Sequence, residues 1–257
     1  MNISRSSFIA SGVAIAVVSG AWTLAAAEGA ANRDAVVYVA AHPDDLAGSI
    51  GTIMRLAETY DVHVVDFTHG ERGLGEARYL DGSCAKMRTD EEERICRELG
   101  VSLHWCSETD GEAFAGRATC EALAALFRKI RPRALIVHWP VDTHNDHMMS
   151  AAAAIKAAQM AKIKPEIYYQ EQDLQSRMFP VAYFVDVTKH TDRRRELISM
   201  YKSQNGASIA ERKISTSKAN ALRIWGNRGK CAEVFGAFPG TVPPGKGIFD
   251  GMPGVSR

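Results

Sequence analysis

Apolar runs and amphipathic stretches alternate along most of this chain. Ala35 to Ala41 (AVVYVAA) is a continuous apolar run containing Val and Tyr, which predicts a strand buried on both faces. Gly48 to Thr59 then carries helical spacing. Val62 to Phe67 predicts a second strand, 68–83 a long glycine-rich loop, Lys86 to Leu99 a charged amphipathic helix ended by Gly100, and Val101 to Cys106 a third strand. A helix over Thr119 to Ile130 stops before Pro132, Ala134 to Trp139 (ALIVHW) predicts a fourth strand, and Met148 to Lys162 an alanine-rich helix. Ile167–Gln170 and Val181–Val187 are candidate fifth and sixth strands. Helical segments follow, and the chain ends in a Gly/Pro-rich tail. Strand–helix alternation of this kind predicts an α/β fold, a Rossmann-like three-layer sandwich with a mostly parallel sheet. Without an internal repeat or long linker, 28–257 reads as one domain.

The first residues break the pattern. Met1 to Ser7 is short and polar with Arg5, Phe8 to Leu24 is largely apolar and uncharged, and Ala25-Ala26-Ala27 supplies small residues before Glu28. This is the three-part form of a secretory signal peptide over 1–27, and it predicts an exported, periplasmic or secreted protein. The alternative is an uncleaved membrane anchor, since the stretch approaches the length of a bilayer span. A membrane partner is expected only in that case.

Composition narrows the function. Across 257 residues, 31 Lys and Arg balance 30 Asp and Glu, so no basic excess argues for nucleic acid. The five cysteines, at 84, 96, 106, 120 and 231, lack the close spacing of a cysteine zinc site. Export would permit bridges, but no pairing follows from the sequence.

Two polar clusters stand where a core pattern would continue. His42-Pro43-Asp44-Asp45 follows the first strand, and Asp142-Thr143-His144-Asn145-Asp146-His147 follows the fourth. In an open α/β sheet, ligands bind at the carboxyl ends of strands where the strand order reverses. With the order 3-2-1-4-5, the two clusters would flank that crevice. His42 and Asp45 are three residues apart, so a turn opening a helix aims both at one point. His147 completes a His-Asp-His set suited to Zn2+ or another divalent transition metal, with an open position for water. Asp44 is then free to accept a proton from that water, His144 faces the reacting group, and Asp146 orients a neighbouring imidazole. Helix capping by a single aspartate is the plainer reading of either cluster alone.

These residues fall in a recognisable series. AHPDD at 41–45, Thr68-His69-Gly70-Glu71, Arg88 with Glu91, Asp110-Gly111, HNDH at 144–147 with Pro140 and Asp142, Asp186-Val187-Thr188, Ser203-Gln204 and Ala232-Glu233-Val234-Phe235 occur in the order of the PIG-L / LmbE family of metal-dependent N-deacetylases, which the chain resembles. The resemblance implies His42, Asp45 and His147 as metal ligands and Asp44 as general base. It implies His144 as general acid or oxyanion donor, supported by Asp146, and Arg88 and Asp110 as residues that hold the sugar. For these last two the plain readings are a helix-surface ion pair with Glu91 or Glu92, and a turn aspartate before Gly111. The chain departs from the family pattern at Leu46, Asn145 and Asp142, where Glu, Pro and an aromatic hydroxyl are frequent; these departures bear on substrate choice.

The implied activity is hydrolytic removal of an acetyl or other acyl group from the amide nitrogen of an N-acetylated sugar or glycoconjugate. Rival readings are a metal-dependent phosphoesterase, which normally wants two metals, and a non-catalytic carbohydrate- or metal-binding protein. His63, His104 and His138 lie in apolar strands and read as sheet residues. His69 stays open, and Arg193-Arg194-Arg195 reads as a solvated helix face. Trp225 and Phe235 either cover the site or pack the C-terminal segment.

Overall fold

β1 (Ala35–Ala40) has all six residues buried, as its unbroken apolar run requires. The computed structural model describes residues 33–227 and 229–257, so the proposed signal segment lies outside the described residues. The other strands are β2 (Asp61–Asp66), β3 (Ser102–Trp105), β4 (Ala134–His138), β5 (Glu166–Gln170), β6 (Tyr183–Asp186), β7 (Ala232–Ala237) and β8 (Val255–Ser256). They form one sheet in the order β3-β2-β1-β4-β5-β7-β6-β8. The first five are mutually parallel, and β7, β6 and β8 join antiparallel.

The helices are α1 (Ile50–Ala57), α2 (Glu76–Leu80), α3 (Ser83–Leu99), α4 (Arg117–Ile130), α5 (Asn145–Ala161), α6 (Thr191–Ile198) and α7 (Gly206–Trp225). Side chains of a strand alternate between faces. Val36, Tyr38 and Ala40 pack with Ile50 and Ile53 of α1, Ile95 of α3 and Leu197 of α6. Val37 and Val39 pack with Leu123 and Phe127 of α4 and with Ala151 and Ala154 of α5. The result is a helix layer on each face of the sheet. A fully buried side chain such as Phe127 contributes about 1.5–3 kcal/mol through removal from water. The small residues of α5 let that helix lie close, so a larger side chain at Ala154 would cost about 1–3 kcal/mol in overpacking.

The expected α/β class and the order of the first five strands agree with the structure. Three elements differ from the pattern-based expectation. The loop at 68–83 contains the short helix α2. Ala232–Ala237, read from sequence only as part of a motif series, is a strand inserted between β5 and β6. The Gly/Pro-rich tail is anchored: Ile248 and Phe249 are buried, and β8 pairs with β6. Among the described residues no helix is long and apolar enough to cross a membrane.

The topology sets up the site. From β1 the chain moves outward to β2 and β3, then returns to place β4 on the other side of β1, with Val36 opposite Ala134 and Tyr38 opposite Ile136. The segments leaving β1 and β4 are therefore neighbours at the point where strand order reverses.

Candidate active site

The turn after β1 is built around an unfavourable backbone. Asp44 adopts φ 104°, in the left-handed region that a non-glycine residue enters at a cost of about 1–3 kcal/mol. The chain closes the turn with Asp45 N–H donating to His42 O at 3.2 Å and then enters a 3-10 turn over Asp45–Gly48. Arg88 of α3 offsets part of the cost. Its guanidinium donates to the carbonyls of Pro43 and Gly70 and to Asp44 Oδ1. Gly70, at φ 63°, leaves room for this side chain, because a Cβ there would lie 2.5 Å from the guanidinium carbon.

Asp45 is buried and doubly fixed. Its Oδ2 accepts from Ala41 N–H at 3.0 Å and His42 N–H at 2.9 Å, and lies 3.1 Å from His138 Nε2. Its Oδ1 faces His147 Nε2 at 3.4 Å. Burial alone would raise its pKa, but His147 and His138 outweigh it and hold the carboxyl well below the usual range.

The second cluster opens α5. His144 is the N-cap, and its Nδ1 accepts from Asp146 N–H at 3.3 Å. That bond leaves Nε2 to carry the ring proton. His147 Nδ1 donates to Asp142 Oδ1 at 3.1 Å, and Asp142 is held in turn by Ser176 Oγ at 3.0 Å. Asp146 is buried and accepts from Gly111 N–H at 2.6 Å, with its Oδ2 at 3.0 Å from His42 Nε2. Asp146 therefore orients His42, across about 100 residues of sequence, while Asp142 orients His147.

The two clusters meet. The His42 ring lies 4.6 Å from His144 and 5.5 Å from His147, centroid to centroid. Among the described residues, donor atoms come within 4.8 Å of one another in three groupings: His42, His144 and His147; His42, Asp110, His144 and Asp146; and Asp45, His138 and His147. The expected trio of His42, Asp45 and His147 is spread over these groupings, with His147 common to two. The trio is not itself one of these groupings, because Asp45 meets His42 Nδ1 through Oδ2 at 3.6 Å and His147 Nε2 through Oδ1 at 3.4 Å. Two imidazoles and a carboxylate are the right chemistry for a divalent ion.

Charge follows from this crowding. Burial resists protonation of His42, but Asp110, Asp146 and Asp45 outweigh it and raise its pKa well above the ordinary histidine value. Burial likewise opposes His147, yet Asp45 and Asp142 push it up to about 9. His144 moves the other way, lowered by burial and by its two histidine neighbours. Asp44 is raised to about 6, chiefly by burial, with Arg88 pulling against that rise.

Arg88 does not match its plain reading, and Asp110, although it does sit in a turn before Gly111, also reaches into the site. Arg88 is 4% exposed and pairs with Asp44, whereas Glu91 goes to Ser203. Asp110 is buried with Oδ1 3.2 Å from His42 Nε2, and it accepts from Arg72 N–H at 3.1 Å. Both line a cleft of about 320 Å³ together with His42, Asp44, Asp45, Arg72, Gly73, His144, His147, Gln175 and Gln204. Among the described residues no apolar side chain lines it.

Comparison with known proteins bears on this arrangement. No curated protein matches the sequence. Residues 37–158 match the PIG-L family model, described as GlcNAc-PI de-N-acetylase, and that span holds both clusters. Solved structures share the fold of this chain. N,N'-diacetylchitobiose deacetylase from Pyrococcus horikoshii aligns with TM-score 0.67 and 22% identity over 81% of this chain and 85% of its own. GalB, the 4-carboxy-2-hydroxymuconate hydratase from Pseudomonas putida KT2440, aligns with TM-score 0.69 and 23% identity over 80% and 97%. The teicoplanin deacetylase Orf2, in a zinc-inhibited form, aligns with TM-score 0.60 and 12% identity over 80% and 99%. At these identities the likeness concerns the fold.

Other residues of the chain fall into place in and beyond the cleft. His138, read from sequence as a sheet residue, ends β4 with no exposure and reaches Asp45. Its signal was a histidine closing an otherwise apolar run at a strand's carboxyl end, in phase with Ala134 and Ile136. His63 and His104 are remote and bond to each other at 3.0 Å, while His69 stacks on Trp105. The arginine run splits: Arg193 and Arg195 pair with surface carboxylates, but Arg194 is buried against Glu233 at 3.0 Å. Glu233 in turn accepts from Gly51 and Thr52 N–H in the first turn of α1. Phe235 is core, and Trp225 donates to Ser256 Oγ in the C-terminal segment. All five cysteines are buried and unpaired.

Proposed function

We propose that this protein is an exported, zinc-dependent hydrolase that removes an acetyl group from the amide nitrogen of an N-acetylated sugar or glycoconjugate. One observation carries the reading: the two His/Asp motifs inside the PIG-L span converge on a single polar cleft. The fold alone does not choose the reaction, because a hydratase shares it.

His42, Asp45 and His147 are the proposed ligands. A divalent ion held there supplies Lewis acidity for the acetamide carbonyl and acidifies water. Asp44 takes a proton from the attacking water, a task suited to a carboxyl near 6. His144, with its proton on Nε2, donates a hydrogen bond to the carbonyl oxygen as it gains charge. Of the two roles implied for His144, this bond supports the oxyanion donor. Asp44 then returns its proton to the departing nitrogen, and acetate and a free amine leave. Asp146 keeps His42 turned toward the site, and Arg88 and Asp110 face sugar hydroxyls from the cleft wall while holding Asp44 and His42.

Export rests on Met1 to Ala27 alone. Because every thiol is buried, an oxidising compartment would meet none of them at the surface. Acetate release from a panel of N-acetyl sugars, with and without chelator, tests the activity. Chelator-sensitive acetate with equimolar amine is expected. A protein that binds metal and sugar without releasing acetate would be a binding protein, and phosphate release from esters would favour the phosphoesterase.

A further inference from the structure

His138 belongs to neither motif, yet it touches two of the proposed ligands. It is fully buried at the end of β4. Its Nε2 lies 3.1 Å from Asp45 Oδ2, and its ring stacks on His147 at 4.1 Å with the planes 5° apart. Asp45 Oδ2 already accepts from Ala41 and His42 N–H, so His138 is the third group around that one oxygen. The other oxygen, Oδ1, is the one turned to His147.

The tautomer follows from the partners. Ala41 N–H points at both Asp45 Oδ2, at 3.0 Å, and His138 Nε2, at 3.2 Å; with the shorter bond made to the carboxylate, His138 Nε2 carries the proton and donates to Asp45. His138 Nδ1 is then a bare lone pair, and it is buried with no partner. A buried acceptor without a partner is tolerated better than a buried N–H.

We propose that His138 is a positioning residue: it saturates Asp45 Oδ2 and stacks on His147, so that Asp45 Oδ1 and His147 Nε2 are presented together to the metal. This rests on the ligand reading given under the proposed function. Groups that orient metal ligands are worth about 10–100-fold in metal affinity.

The test compares H138M with H138Q. Both have a similar length, and only Gln keeps a donor near the Nε2 position. Zn2+ affinity is measured by competition with a chelating dye, Co2+ absorption reports the ligand set, and thermal melting of the metal-free proteins checks the fold. H138M is expected to bind Zn2+ about 10–100-fold more weakly with an unchanged Co2+ nitrogen count, and H138Q within about threefold of the parent. If H138M does not fold, H138F, which keeps a flat ring against His147, takes its place. Parent-like affinity in H138M or H138F overturns the proposal. So does loss of one Co2+ nitrogen ligand in H138Q, which would make His138 a direct ligand. A parent protein that binds no metal would instead overturn the proposed function, a separable result.

Discussion

Arg88 and Asp44 form a partly buried ion pair at 2.5 Å, joining the helix after the glycine-rich loop to the turn after β1. The pair ties the proposed base to a backbone conformation that Asp44 would not otherwise favour. Arg88 also lowers the Asp44 pKa against the larger effect of burial. Replacing Arg88 with Met removes the lowering influence, so the Asp44 pKa rises. The acid limb of the pH–rate profile should move upward, with a loss of at least about tenfold near pH 6 that narrows toward pH 8. A profile of kcat/KM against pH for R88M and the parent checks this; an unmoved acid limb would separate Arg88 from the base.

Asp44 itself has no ligand role in this reading. D44N keeps the shape and loses the base, so activity should fall by about 10²–10⁴-fold while Zn2+ stoichiometry stays that of the parent. Metal content by atomic emission, measured beside acetate release, separates this from loss of the metal. In the parent, the acid limb should lie near 6, where Asp44 loses its proton.

Metal binding should release protons. In the metal-free protein His42 is raised well above the usual histidine value and His147 to about 9, in both cases by carboxylates that outweigh burial. Each must give up its proton to bind an ion, so affinity should climb with pH through neutrality and level off above about 9. Dye competition between pH 6 and 9.5 measures the slope, and H147A should lose most of the binding. A flat profile would mean that neither histidine is a ligand.

The cleft should limit the acyl group. Its walls are His, Asp, Arg and Gln side chains with one glycine, so an extended acyl chain finds no apolar surface to replace water. Each buried methylene is worth about 0.8 kcal/mol only where such a surface exists. Along N-formyl, N-acetyl, N-butyryl and N-hexanoyl forms of one sugar, kcat/KM should peak at acetyl or formyl and fall by at least about tenfold at hexanoyl. Equal rates across the series would place the acyl group outside this cleft.

Much of this molecule was legible in the order of its residues, and the exceptions have physical causes. β1 and, up to His138, β4 are apolar runs, and such runs become strands buried on both faces. β7 carries Glu233 and Gly236, so it lacks that signature, and its place between β5 and β6 depends on pairing with distant partners. Arg194 shares its run with two solvated arginines, and only the packing of α6 and α7 over β7 turns it inward to Glu233.

Local chemistry was determined by the chain alone: apolar periodicity set the α/β class, and two His/Asp clusters at strand ends marked the candidate chemistry. Which aspartate serves which histidine was only partly local. Asp142 turns His147 from five residues away, but Asp146 turns His42 and His138 secures Asp45 through contacts that exist only once β4 lies beside β1. A hydrogen bond depends on distances of about 3 Å, and separation along the sequence carries no information at that scale until the sheet has formed.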